Sequence, residues 1–546
     1  MVTIAELRRA AENALAYISK LPDIVETQVF VSANAQYFIR FDYKSHIKSN
    51  GVEEPKSTQD YGIGVQAVFK TTEGIKVGFG SEANNISLAG VKIALEKARE
   101  GAVLDEEFIS LPKPLEIKKT LYEYHDPEFM EMNEEDFISA GWKILDGAIK
   151  EFLCSDKLKI FAKKRDKEIA ELGLIEGGDL TIICERMAVA STAMPEVQTD
   201  ESAFATVSLT AMVEDYNAKG SGYSSYRKIS KINAEAGQKS ARNAISACGI
   251  FTAKNIIYRG VPAALESVNE PAGFESGSYP VIFGPQPVSE FMNNLIIPSL
   301  KANTFYGQES PFLGMFGKQI CSPLINIYDD ATNPEYVGAK GITCEGLPTK
   351  RTDLVKAGIL NDLLSSWYET QRLLHHDPKA KEKLGEDPKE LWREGKLLPT
   401  AGFRFSTGGG RSYGSTASIA GTNTVLEGTN PEPLDELIQK ISFGLYIGRI
   451  WYCYPMNGLK AGDFTATVIA DSFVIKDGKI ITPLKANAVR INDNFLRVLN
   501  NIWGVSDKKE TALIWAADEI PVACDILVTD VRLEEIKEAN AAPTGM

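Results

Sequence analysis

"GDFTATVIADSFVIKDGKIITPLKANAVRI", residues 462 to 491, places Phe464, Ala466, Val468 and Ala470 at every second position and then reaches Asp477-Gly478. A period of two marks a strand with one buried face. Asp-Gly favours a two-residue hairpin turn, because both residues tolerate positive φ. The stretch therefore predicts a mainly antiparallel, β-rich domain around it. Working outward, that domain starts near 271, where "SYPVIFGPQPVSEFMNNLIIPSLKA" (278 to 302) reads as a strand followed by a helix. It runs to residue 546, with helices expected at 432 to 443 and 493 to 503. Between 365 and 399 the charged, helix-prone passage "YETQRLLHHDPKAKEKLGEDPKELWREGK", cut twice by Asp-Pro, reads as a helical insertion at the surface.

The N-terminal half has a different texture. Ile4, Leu7, Ala11, Ala14, Leu15 and Ile18 recur at helical spacing, predicting a helix over 3 to 20. "TQVFVSANAQYFIRFD" (27 to 42) and "YGIGVQAVFKTTEGIKVGFGS" (61 to 81) then read as strands, and "ISLAGVKIALEKAREGA" (86 to 102) as a closing helix. The same order returns in a helix over 134 to 153, strand-like text over 178 to 215, and a helix after 234. Ala89, Gly90, Lys92 and Ala94 match Ala236, Gly237, Lys239 and Ala241, which suggests a duplicated unit or a chance likeness of Ala-rich helices. The expected fold is thus α+β: an N-terminal α/β domain (1 to 110), a central α/β domain (111 to 270) and a β-rich C-terminal domain (271 to 546).

With 59 Lys plus Arg against 73 Asp plus Glu, the net charge of −14 gives nucleic acid a repulsive mean field. No run of 18 apolar residues suggests a membrane span. Neither nucleic acid nor a membrane is an expected partner, and the expected compartment is the cytoplasm. The seven cysteines include no CxxC pair, so neither a zinc knuckle nor a disulfide framework is indicated.

The four histidines are His46, His125, His375 and His376, none spaced as in a zinc-binding helix. Adjacent helical residues point about 100° apart, so His375 and His376 read as solvated surface groups, with a composite metal site as the alternative. Cys453 in "RIWYCYPMNG" lacks a neighbouring base and reads as a packed thiol, with a nucleophile as the alternative. "STGGGRSYGSTAS" (406 to 418) is not a phosphate loop. Its glycines Gly408, Gly409 and Gly410, followed by Arg411, serve either a peptide added to a sheet edge or a tight bend. In "EGLPTKRTDLVKAGILNDLL" (345 to 364), Pro348, Thr349, Lys350, Arg351 and Thr352 form either a salt-bridged surface turn or a cationic loop for a carboxylate.

That run, "SPFLGMFGKQI" (310 to 320), residues 444 to 484 and the Ala-Gly helix at 234 to 248 together resemble the TldD/PmbA family, once described as modulators of DNA gyrase. The resemblance implies a cytoplasmic metalloprotease assembly that trims or matures small or unfolded peptides. In the family, TldD-type subunits carry an HExxxH zinc helix and PmbA (TldE)-type subunits lack it. The matching helix here, "PVSEFMNNLIIPSLKA", has Asn293, Asn294 and Pro298 and no imidazole, and Pro298 is expected to disturb it. Cys453 falls close to a metal-ligating cysteine of TldD-type chains. The chain thus resembles a non-catalytic PmbA/TldE-type subunit, with no cofactor of its own, zinc in its partner, and a TldD-like HExxxH-bearing homologue as that partner. Expected peptide- or partner-binding residues are Pro348 to Thr352, Gly408 to Arg411, Asn457, Gly462 and Asp463. The alternatives are a self-sufficient metal- or cysteine-dependent peptidase and a stand-alone peptide-binding or regulatory module. The insertion at 365 to 399 is longer than the resemblance leads one to expect.

Overall fold

A helix, three strands and a helix occur twice in succession and meet in a single sheet. The computed structural model describes residues 2–47, 50–248, 275–406, 410–512, 514 and 519–536. The first unit comprises α1 (Ile4–Ile18), β1 (Ile24–Lys44), β2 (Gly51–Thr71), β3 (Gly74–Ala83) and α2 (Leu88–Glu100). The second comprises α3 (Glu134–Cys154), β4 (Leu174–Ser191), β5 (Gln198–Val213), β6 (Ala218–Tyr226) and α4 (Glu235–Ala247), with shorter helices between. β1 and β4 pair antiparallel from Gln28↔Ser191 to Lys44↔Ile175, so the order reads β3-β2-β1-β4-β5-β6, with the short strand Val103–Leu104 beyond β3. The boundary expected at 110 is therefore no break in the sheet. Each unit also uses the same packing device. A Cβ on Gly80 of β3 would lie 2.1 Å from the Ala94 carbonyl of α2, and one on Gly222 of β6 would lie 2.0 Å from the Ala236 carbonyl of α4. Glycine here lets helix backbone rest on strand backbone. Gly222→Val is expected to push α4 off the sheet and cost at least about 2 to 3 kcal/mol; urea unfolding of the purified variant measures this.

β1 shows why its sequence mixes apolar and polar residues. From Thr27 to Ala35 every residue is buried, so both faces of the strand are covered. Val29, Val31 and Ala33 join the cluster under α1 and α2. On the opposite face Gln28 donates to the Glu345 carbonyl at 3.4 Å and Asn34 to the Arg411 carbonyl at 3.0 Å. The polar face of the sheet is therefore its seam with the C-terminal domain.

That domain contains a closed strand circuit. β8 (Phe443–Pro455) pairs with β7 (Gly277–Phe283), β7 with β11 (Ile526–Glu535), β11 with β10 (Val489–Asn494), β10 with β9 (Asp463–Lys476), and β9 with β8. Closure leaves no open edge in the ring. Along β9 burial alternates at almost every position, and Lys476 pairs with Lys479 across the Asp477-Gly478 turn, where both turn residues have positive φ. The expected helices lie at Leu434–Gln439 and Phe495–Asn500. A second, six-stranded sheet includes Ile325–Asp330, Arg351–Lys356 and Thr424–Gly428. The insertion is helical, at Trp367–His375, Ala380–Leu384 and Pro388–Arg393. It also ties the two halves together. Trp367 Nε1 donates to the Ser110 carbonyl at 2.9 Å, Tyr368 bonds Asp105, and Arg372 pairs with Glu107 at 2.7 Å. No described helix is long and apolar enough to cross a membrane.

Candidate functional site

The seam between the N-terminal sheet and the strand circuit encloses a cavity of about 310 Å³. Its walls come from β1 (Gln36), β4 (Asp179, Glu185), β5 (Phe204), β8 (Arg449, Trp451) and α5 (Pro285–Phe291), which contributes Gln286 and Glu290. α5 starts at Gly284, with Pro285 preset for the first helical position. One face sends Val288, Phe291 and Met292 into the core, where Phe291 packs edge-on against Phe283 and Phe464 at 5.0 and 5.3 Å. The other face carries Gln286 and Glu290 to the cavity. Gln286 accepts from Ile450 N at 2.9 Å and donates to a Glu290 carboxylate oxygen at 3.1 Å, while Asn294 donates to the other at 2.9 Å.

The helix does not break at Pro298. Instead it widens into a π turn over Met292–Ile296, with Ile297 N–H bonded five residues back to the Met292 carbonyl. Proline cannot donate four residues back and its ring crowds that carbonyl; the wider turn absorbs both effects.

Burial raises the Glu290 carboxyl to about 7, against the hydrogen bonds from Gln286 and Asn294 and the nearby Arg449 charge, which favour its ionised form. Cys453, 1% exposed, has its thiol pushed well above the usual range, first by burial and then by the charge of Glu290. Arg449 is steadied by Thr210 and Ser221, to whose hydroxyls it donates at 2.8 and 2.7 Å. Asp471 accepts from Ser221 N at 3.1 Å.

One end of the cavity is closed by a buried ionic network. Lys340 Nζ lies 2.5 Å from Glu185, and Arg411 Nη1 donates to Asp200 at 2.8 Å while its backbone N–H donates to Glu185 at 3.0 Å. Tyr124 and Gly341 N also bond Asp200, at 2.7 and 3.2 Å. The charges of Arg411 and Lys340, with hydrogen bonds from Lys340 and Ser202, outweigh burial and hold the Glu185 carboxyl down at about 2.

Of the residues singled out by sequence, Gly410 lines this cavity and Arg411 is wholly buried in its end wall; Gly408 and Gly409 lie outside the described residues. The other groups sit apart. Thr349 and Thr352 are buried, Thr349 bonding the Lys340 carbonyl and Thr352 approaching the Thr400 hydroxyl. Pro348 pairs with Ile342, Lys350 bonds the Gly395 carbonyl at 3.1 Å, and Arg351 pairs with Asp353 and covers the Tyr328 ring at 3.6 Å. Asn457 and Asp463 bond each other at 3.3 Å beside Gly462, whose positive φ ends a short helical turn between β8 and β9. His375 and His376 are exposed at the end of Trp367–His375. Among the described residues no three His, Cys, Asp or Glu side chains converge on a common point. Sequence reasoning passed over Asp179, Glu185, Ser289, Glu290, Lys340 and Arg449. The signal for Ser289 and Glu290 was present, since Glu290 is the only acid in "PVSEFMNNLIIPSLKA".

Residues 276–537 match the family model of the PmbA/TldA metallopeptidase C-terminal domain. Residues 276–537, a little under half of the chain, thus form a C-terminal domain of the PmbA/TldD type. A metalloprotease TldD homologue from Buchnera aphidicola is 25% identical over 477 residues, which span 86% of this chain and 84% of that protein. Another, from Haemophilus influenzae, is 26% identical over 251 residues, 46% of this chain and 44% of that protein. The crystal structure of TldE from Thermococcus kodakarensis shares the fold with a TM-score of 0.70 at 16% identity, covering 96% of this chain and all of that one.

Proposed function

We propose that this chain is the non-catalytic, PmbA/TldE-type subunit of a cytoplasmic metalloprotease, working with an HExxxH-bearing homologue that holds the zinc and cleaves small or unfolded peptides. One observation carries this reading. In the frame that keeps the motif's glutamate as Glu290, the two histidine positions fall on Ser289 and Asn294. These residues do not fit zinc. A hydroxyl and an amide are poor substitutes for imidazole, both Glu290 oxygens already accept from amides, and the Cys453 thiol is held protonated. A raised thiol also argues against Cys453 as a nucleophile.

The experiment is reconstitution. Purified alone, the chain should neither retain zinc nor hydrolyse peptides. Mixed with an HExxxH-bearing homologue from the same genome, it should co-elute as a heteromer and give peptide hydrolysis that a chelator stops. Two separately eluting chains with no gain in hydrolysis would overturn the proposal, as would chelator-sensitive hydrolysis by this chain alone.

A further inference from the structure

β7 pairs with β8 only from Leu445 to Ile447, so the outer part of β8 runs on with β9 as an arm beyond the ring, Trp451 pairing with Thr467 and Pro455 with Phe464. The register slips between Trp451 and Tyr454, where Tyr452 takes a φ of +56°. In a regular strand neighbouring side chains leave by opposite faces. Here the slip leaves Trp451 and Tyr452 exposed together, their rings stacked with centroids 5.4 Å apart and 12° between planes, and the Tyr454 ring follows 6.2 Å from Tyr452. With Met456 they form a row of four large side chains, each between 46 and 60% exposed. Positive φ is strained for a bulky residue but not for glycine, so folding alone gives no reason for tyrosine at 452. Such bulges re-aim side chains beside functional sites. Trp451 also lines the cavity, so the row starts there and leads out to the β8–β9 turn. Asn494 holds that turn in place, donating to the Ala461 carbonyl at 2.7 Å and to Asp463 at 3.1 Å.

We propose that this aromatic row is the surface on which the HExxxH-bearing homologue docks, an inference that rests on the two-chain reading above and locates its contact. Its size fits a protein partner. At about 150 to 250 Å² per buried aromatic side chain, four large groups near half exposure offer roughly 400 Å², the size at which an apolar patch marks an interaction site. That is about half of the roughly 800 Å² that each partner contributes to a stable interface. Trp, Tyr and Met are also the residues enriched at the centre of such contacts. An unlike partner is favoured over a second copy, because two copies of this chain would each bring a net charge of −14. Docking here seats the partner against the cavity that Trp451 lines, so that a peptide held there can reach both chains.

Two measurements on full chains test this. In the first, the parent chain is exposed to hydroxyl radicals alone and in the heteromer; Trp451, Tyr454 and Met456 are expected to be oxidised at least five-fold more slowly in the heteromer. In the second, Tyr452→Gly, Tyr454→Ser and Met456→Ser are combined, which spares Trp451 and the cavity. Affinity for the homologue, read by sedimentation, is expected to fall at least ten-fold, with Tm no lower than the parent's because glycine relieves the strain at 452. Unchanged oxidation, or a variant that binds as tightly as the parent, would overturn the docking surface and leave the two-chain reading standing. So would a parent chain that dimerises with itself and turns monomeric in the variant, which would assign the row to a second copy. Failure of the parent chain to bind the homologue would overturn the reading and the surface together.

Discussion

Ser289→His combined with Asn294→His is expected to convert this chain into one that keeps a stoichiometric zinc ion through dialysis. Positions five apart on an ordinary α-helix point about 140° apart. The π turn at Met292–Ile296 widens the helix where position 294 lies and brings the two positions toward one face. Glu290 is already between them, and Cys453 is close enough to feel its charge. Two imidazoles and one thiolate make the three-ligand set of an open zinc site, and coordination deprotonates a thiol that burial otherwise keeps neutral. The Ser289 hydroxyl is buried without a hydrogen-bond partner among the described residues, so its removal forfeits no bond. The larger ring costs about 1 to 3 kcal/mol in packing. Zinc at about a thousand times its Kd returns about 4 kcal/mol. Metal analysis after dialysis, with a zinc-dependent rise in Tm, reads the outcome, and adding Cys453→Ser should weaken retention. A folded double variant that neither holds zinc nor gains Tm would overturn the alignment of Ser289 and Asn294 with the two histidine positions of the motif.

The parts legible in the sequence were those fixed by local physics. Period-two burial along Asp463–Lys476, the Asp477-Gly478 turn and the opening helix follow from side-chain periodicity and turn chemistry. The helix-strand-helix order does repeat, but the matched Ala-Gly positions do not carry it: Gly80 rests against Ala94 and Gly222 against Ala236, the counterpart of Ala89, while Gly90 and Gly237 face Asn85 and Ile144. The cavity was not legible. Asp179 and Glu290 are 111 positions apart, and neither stands in a motif of its own. Only sheet pairing and circuit closure bring their walls together. Lys350 and Arg351 drew notice as adjacent cations, but a strand start beside Tyr328, Asp353 and the Gly395 carbonyl engages both within the chain. Arg411 looked like part of a flexible glycine loop, yet it is the most deeply buried kind of charge, one with acids on both sides.

Arg411→Met should therefore destabilise the protein by about 3 to 5 kcal/mol, the range for removing one partner of a buried ion pair. Its side chain is 0% exposed and spans the seam, with Nη1 on Asp200 and Nε 3.4 Å from Glu185. Without it, Glu185 retains Lys340 and Asp200 retains Lys119 and Tyr124, so two acids share fewer cations in a dry site. The loss should depend on pH with a definite sign. Glu185 in the folded protein titrates at about 2, below its ordinary 4.5. Its ionised form therefore stabilises the fold above about 4.5, and that contribution fades as pH falls from 4.5 toward 2. The variant gives up much of this contribution in advance, so the stability gap between parent and variant should be widest near pH 7 and narrow by pH 3. Urea unfolding at both values tests it. A gap that stays constant would assign the loss to packing of the methylene stem instead, and a variant as stable as the parent at pH 7 would show that the seam does not depend on this charge.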